Sequence, residues 1–327
     1  MKILVFGAGV LGSCLCHELL KNGNEVELFA RGKRKDELLE NGLVIYHYLQ
    51  KRTTVDRPKI IGEIDPKTHY DAAFSVMQYG QTKAALGQLS EINAPVLVLV
   101  GNNLSCSEMA EYLNEHGLEH GEKRSVLFGF SAVGGRRENG RVVCIKKKGS
   151  AFHCGAAGGK APEEAKAALE KALCGEYKPQ WEEDMDAWLK CHAAFILPIA
   201  YLSYASGCDL RKSTAAQRRL CLDATGEAYS LLSLLGFPIL PRGDEEYFKS
   251  GAKLLYMKLF MLALAKTKLG ELAATDHCRA AVCEMEELDS EFERLRRKKP
   301  GFSMPAFERL RKSAPSREEL KKIYCGK

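Results

Sequence analysis

The stretch Lys2-Ile3-Leu4-Val5-Phe6-Gly7-Ala8-Gly9-Val10-Leu11-Gly12-Ser13 decides how the first half of the chain folds. The apolar run reads as a buried strand, the glycines as a tight turn, and Val10 onward as the start of a helix. In that context the spacing GxGxxG has a physical meaning. Gly7 permits the turn, Gly9 lets backbone approach a pyrophosphate, and Gly12 lets helix and strand pack closely. The first N–H groups of a helix have no partners within it, so they can hold a phosphate. Gly7, Ala8, Gly9, Val10, Leu11 and Gly12 are therefore the expected cofactor-binding loop. The competing reading is a tight strand-to-helix turn with no ligand.

Moving outward, apolar runs recur at residues 3–6, 25–30, 72–77, 95–100 and 125–130, separated by helical stretches. Continuous apolar strands alternating with helices predict a parallel sheet buried on both faces. Residues 125–133, 141–147 and 151–154 read instead as strands joined by glycine-rich turns. Glu138-Asn139-Gly140 is a hairpin signal, so an antiparallel edge hairpin is expected. After about residue 161 the strand signals stop, and long helical patterns cover 184–206, 214–235, 245–268, 275–297 and 316–324. The expected organisation is an α/β domain over residues 1–178 and an all-α domain over 179–327.

Composition fits a globular protein. Of 327 residues, 46% are hydrophobic and 28% charged, and 48 Lys and Arg against 42 Asp and Glu give +6. That excess is spread along the chain, which suits small anionic ligands as well as nucleic acid. The run from Arg294 to Lys299 has no interleaved aromatic platform, so no nucleic-acid partner is expected. The 12 cysteines form no CxxC and no zinc-type spacing with histidine, so neither disulfides nor a metal site is expected. No apolar run reaches the roughly 20 residues that a bilayer span needs. The chain opens directly on a strand with no secretory leader, and a cytoplasmic location is the expectation.

The end of the second strand selects the cofactor. An NAD site wants a carboxylate there for the ribose hydroxyls. This chain has Phe29-Ala30-Arg31-Gly32-Lys33-Arg34-Lys35 instead. Arg31, directly after the strand, points to the 2′-phosphate of NADP. Lys33 to Lys35 read equally well as a solvated basic loop.

From Gly7, Gly9 and Gly12 through Arg31, the chain resembles the ketopantoate reductase (2-dehydropantoate 2-reductase) family. Val98-Leu99-Val100-Gly101-Asn102-Asn103 is similar to the family's strand ending in Asn-Gly, with Asn102 on the Asn beside the nicotinamide. The segment 134–140 resembles its Arg-containing hairpin. The resemblance implies a Rossmann-type domain followed by a helical one, and NADPH-dependent reduction of a branched 2-oxo acid. Three departures accompany it. Gln78 stands where the family has a lysine near the cofactor. Counting back from Pro198, Leu189 stands at the general-acid lysine and Ala193 and Leu197 at two Asn positions. In the family's Ser-x3-Asp-x7-Glu segment, Asp276 and Glu284 match but Leu272 replaces Ser.

A 2-oxo acid reductase needs a proton donor that titrates near neutrality. His192 is the first choice and Lys190 the second, while Glu284 would accept a substrate hydroxyl as its family counterpart does. Alternatively His192 is a core histidine, Lys190 a surface lysine, and Glu284 part of a solvated acidic face. The expected activity is therefore NADPH-dependent reduction of a 2-oxo acid or related small anionic carbonyl compound. The alternatives are a non-catalytic NADP-binding redox sensor that has lost the lysine and, more weakly, a hydroxyacid or opine-type dehydrogenase. The long helices after residue 184 are compatible with a homodimer.

Overall fold

The computed structural model describes residues 1–117, 124–324 and 326. The chain separates into two compact units, residues 1–101 with 105–186, and residues 102–104 with 187–327.

The first unit is built on an eight-stranded sheet. Its order is Pro179–Trp181, Phe152–Gly155, Ser125–Ser131, Val96–Val100, Ala72–Val76, Lys2–Phe6, Glu25–Phe29, Lys59–Ile61. All neighbours are parallel except Phe152–Gly155 against Ser125–Ser131. The six strands from Ser125–Ser131 to Lys59–Ile61 have the order of a doubly wound dinucleotide-binding sheet. Ala72–Val76 and Val96–Val100 are buried at every position, which is why they read as unbroken apolar runs rather than alternating ones.

The Gly134–Glu138 and Arg141–Ile145 hairpin does not extend this sheet. It joins Leu43–His47 and Arg52–Asp56 in a second, four-stranded sheet. The first unit also runs past the expected boundary at 178. Pro179–Trp181 pairs with Phe152–Gly155 as an edge strand.

The helix Val10–Lys21 packs against strands of both sheets and is buried from Gly12 to Leu19. A helix enclosed this way must match its polar side chains to partners. Lys146 Nζ donates to Glu18 and His17 Nδ1 lies 2.7 Å from Asp56 Oδ2, while within the adjoining sheet Cys144 Sγ lies 3.8 Å from His47 Nδ1. Cys14 and Cys16 fill the tight space as small apolar groups. The adjacent Cys14 thiol, with His47 acting in the same direction, draws the Cys144 thiol below its ordinary value against the burial that raises it.

The second unit is helical, with principal helices Met185–Ala205 (its first two residues counted with the first unit), Ala215–Leu234, Gly251–Lys266, Val282–Arg296, Pro305–Ser313 and Arg317–Tyr324. Thr214 caps the second of these reciprocally with Gln217. Buried Asp289 accepts from Tyr201, Arg311 and Arg317, tying the last two helices to the core.

Two expected helices are interrupted. The stretch 245–268 begins as a 3₁₀ turn, Asp244–Phe248, and restarts at Gly251, whose φ of 72° suits glycine. The stretch 275–297 follows a π-turn, Glu271–Thr275, and breaks at Ala281. Glu284 thereby falls in the first turn of Val282–Arg296 rather than in mid-helix. Among the described residues, no helix is long and apolar enough to cross a membrane.

The buried Lys146–Glu18 pair gives the first test. Lys146→Met leaves an uncompensated buried carboxylate and should cost about 3–5 kcal/mol in urea unfolding. Lys146→Met with Glu18→Gln should recover much of that loss. Equal destabilisation by the single and double changes would show that the pair's charges are not what matters.

Candidate active site

At the end of Lys2–Phe6 the three glycines have different reasons to be glycine. Gly7 has a φ of 123°, and a Cβ there would meet the Val76 carbonyl oxygen at 2.3 Å. A Cβ on Gly12 would lie 1.9 Å from the Gly7 carbonyl oxygen. Internal geometry therefore demands both. Gly9 is the N-cap of Val10–Lys21 with φ −72° and ψ −164°, a conformation open to any residue. A Cβ there would meet nothing within 4 Å. No side chain caps this helix, so its leading N–H groups face an open cradle that a Gly9 side chain would fill. The loop fits a bound diphosphate.

The basic segment after the second strand divides in two. Arg34 is buried, and its Nε donates to Ala8 O at 3.1 Å and its Nη1 to Gly140 O at 2.9 Å. It fastens the glycine loop to the hairpin tip, so this cation is part of the framework and not the solvated residue the sequence suggested. Burial, and to a lesser degree Arg137, lower its pKa. Arg31 is exposed, stacks 4.8 Å from the Phe29 ring centroid and donates to Gln88 Oε1 at 2.7 Å. Arg31, Lys33 and Arg137 border a cleft of about 450 Å³ together with Arg34, Glu37 and Glu138. Glu37 pairs with Arg34, and Glu138 with Arg136 and Arg141. Among the described residues Arg31, Lys33 and Arg137 form no ion pair, which leaves the cleft cationic. Arg137 completes a site that the sequence indicated only through Arg31. Gln78, half-buried after Ala72–Val76, is the N-cap of Tyr79–Ala84.

In the second unit, Asn102 Nδ2 donates to Glu284 Oε1 at 3.2 Å. Glu284 is 3% exposed, and His277 Nε2 lies 3.4 Å from its other oxygen. Glu284 is therefore not part of a solvated acidic face. Asn102 Oδ1 is buried and, among the described residues, accepts no hydrogen bond. Sequence reading missed His277, whose only signal was its place next to Asp276. Asp276 itself is buried and bonded to Arg279 at 3.1 Å.

Lys190 is also buried, not a surface lysine, with Nζ 4.9 Å from the Phe237 ring centroid. His192 is half-buried, stacks on Trp188 at 5.5 Å between centroids, and lines an aromatic cavity. Tyr201 and Tyr204 hydrogen-bond Asp289 and Cys278 O in the core. Among the described residues no group of His, Cys, Asp and Glu could hold a metal ion.

The profile of ketopantoate reductase PanE/ApbA matches residues 3–157, spanning the glycine loop, the basic cleft and the hairpin. Over residues 3–157 the chain is similar to the ketopantoate reductase family. The chain is 27% identical over 297 residues to the uncharacterized oxidoreductase YkpB of Bacillus subtilis (strain 168), covering 87% of this chain and 91% of that one. Its fold is similar to a D-mandelate dehydrogenase solved with NADH and anilino(oxo)acetate, at TM-score 0.76 and 13% identity over 99% of both chains. It is also similar to the 2-dehydropantoate 2-reductase of Methylococcus capsulatus, at TM-score 0.65 and 17% identity over 100% of this chain and 98% of that one. The fold class read from the sequence, α/β followed by helical, is the class of these proteins.

Substituting the glycines separates ligand from framework. Gly12→Ala should cost about 1–3 kcal/mol by overpacking, while Gly9→Ala should cost less than about 1 kcal/mol as an N-cap change. Thermal melts of both variants without cofactor check this. A Gly9→Ala loss as large as that of Gly12→Ala would mean the fold itself needs Gly9.

Proposed function

We propose that the protein uses NADPH to reduce a 2-oxo acid or a related small anionic carbonyl compound. The observation that carries the reading is Gly9, a glycine that neither backbone nor packing requires, opening on a cradle beside a cationic cleft. Gly7, Ala8, Gly9, Val10, Leu11 and Gly12 would hold the diphosphate, with Arg31, Lys33 and Arg137 around the 2′-phosphate. When bound, the nicotinamide supplies the hydride. Asn102, with an open buried acceptor, and Gln78 are the cofactor-side polar groups.

The remaining chemistry falls to the chain. Glu284, fixed by Asn102, is suited to accept a substrate hydroxyl. The proton comes from His192 or Lys190 on Met185–Ala205, with His277 beside Glu284 as the candidate that the structure adds. His192 needs little tuning, since a histidine titrates near 6.5, whereas a lysine must be lowered by several units.

One observation favours the second reading, an NADP-binding sensor without turnover. Leu189, Ala193 and Leu197, at the family's Lys and Asn positions, are buried to 1%, 1% and 0% exposure. That helix face is sealed core and offers no polar group.

Two measurements test the proposal. NADPH should bind more tightly than NADH, and Arg31→Ala should remove about 1.5–3 kcal/mol of that preference. Equal affinities in the parent protein would remove the NADP assignment. At saturating NADPH with a responsive 2-oxo acid, His192→Gln, Lys190→Met or His277→Gln should lower kcat about 10²–10⁴-fold. Full activity in all three would show that none supplies the proton. NADPH binding with no turnover of any 2-oxo acid would favour the sensor.

A further inference from the structure

The aromatic cavity of the second unit has a composition that an anionic substrate does not explain. It encloses about 310 Å³, and its walls include Trp188, Phe195, Tyr229, Tyr247, Tyr256 and Phe260. Its ionisable lining groups, tyrosines aside, are His192 and Asp244, with no lysine or arginine among them. Ring faces carry the negative lobe of the aromatic quadrupole, so a carboxylate entering here would meet negative ring faces and a second carboxyl group.

We propose that this cavity is a binding site for an organic ammonium group, held by the ring faces and by Asp244. Asp244 is half-buried, and among the described residues no cation pairs with it. A carboxyl in an aromatic wall without a counter-charge is costly. Burial, with Glu245 adding, pushes its pKa up. Asp244 also adds to the burial that pushes the Tyr229 phenol up.

The chain already shows the kind of contact proposed. Lys253 Nζ sits 5.4 Å from the Tyr247 ring centroid while bonded to Glu246, an ammonium shared between a ring and a carboxylate. Tyr247 is also a wall of the cavity, where the other rings and Asp244 present the same two elements. Its volume lies at the small end of ligand pockets, which suits a single ring-bearing amine. His192, one of the proton-donor candidates, also lines this cavity, and amine binding is measured without cofactor.

Trp188 in the cavity wall provides the signal, and Trp181→Phe removes the chain's only other tryptophan. In that background, fluorescence titrations would compare 2-phenylethylamine, 2-phenylethanol and 3-phenylpropionate at pH 7, as cation, neutral isostere and anion. The amine should bind at least about tenfold more tightly than the alcohol, with the acid weakest. Asp244→Asn should bring the amine to the level of the alcohol without changing the alcohol's affinity. Asp244→Glu should restore the difference. Equal binding of amine and alcohol, tightest binding of the acid, no binding of any of the three, or an amine affinity untouched by Asp244→Asn would each overturn the proposal.

Discussion

The first unit depends on one close approach, between the Gly12 Cα and the Gly7 carbonyl oxygen, where an added methyl group would overlap the oxygen at 1.9 Å. It presses the start of Val10–Lys21 onto the end of the first strand and aims unpaired N–H groups outward. In the sheet, Lys2–Phe6 lies between Ala72–Val76 and Glu25–Phe29, where the order of the strands reverses, and ligands of such sheets bind at that switch point. Arg34 then pins Ala8 to Gly140, so the loop and the hairpin form one wall. The second sheet closes over the helix, and the buried pairs Lys146–Glu18 and His17–Asp56 follow because its polar face has no solvent to meet.

How much of this was legible follows from what each segment buries. The glycine loop and the inner strands were readable because burial on both faces leaves unbroken apolar runs. The second sheet was not. Arg52–Asp56 reads Arg-Thr-Thr-Val-Asp with no buried position, so it has no apolar run to announce it, and the short run Leu43-Val44-Ile45-Tyr46 gives no sign of which strands it pairs with. The hairpin turn at Asn139-Gly140 was visible from local chemistry, but its sheet partner, Leu43–His47, lies about a hundred residues away and leaves no local trace. Arg31 and Arg34 look alike in sequence. Only the fold decides that Arg34 is anchored to backbone carbonyls while Arg31 faces the cleft.

In the helical unit, periodicity located the helices but not their breaks. The interruption at Ala281 gives Glu284 its place beside Asn102, and nothing in the run 275–297 announces it. Lys190 and Glu284 were both open to a surface reading, since charged residues are usually exposed, yet both are buried. Asn102 belongs by contacts to the helical unit, although it follows a strand of the first. Its bond to Glu284, 182 positions away, is a tertiary fact that sequence resemblance anticipated only as two separate matches. The aromatic cavity was invisible for the same reason, because its walls come from Met185–Ala205, Ala215–Leu234, the 3₁₀ turn and Gly251–Lys266.

The central claim is that the loop and the cleft together bind a dinucleotide carrying a 2′-phosphate. Calorimetric titration with adenosine 2′,5′-bisphosphate and with adenosine 5′-monophosphate isolates that phosphate from the nicotinamide end. The account predicts binding of the bisphosphate at least about tenfold tighter, one charge-assisted contact's worth, with the advantage shrinking as salt is raised. Equal affinities for the two nucleotides, at low and at high salt, would contradict it.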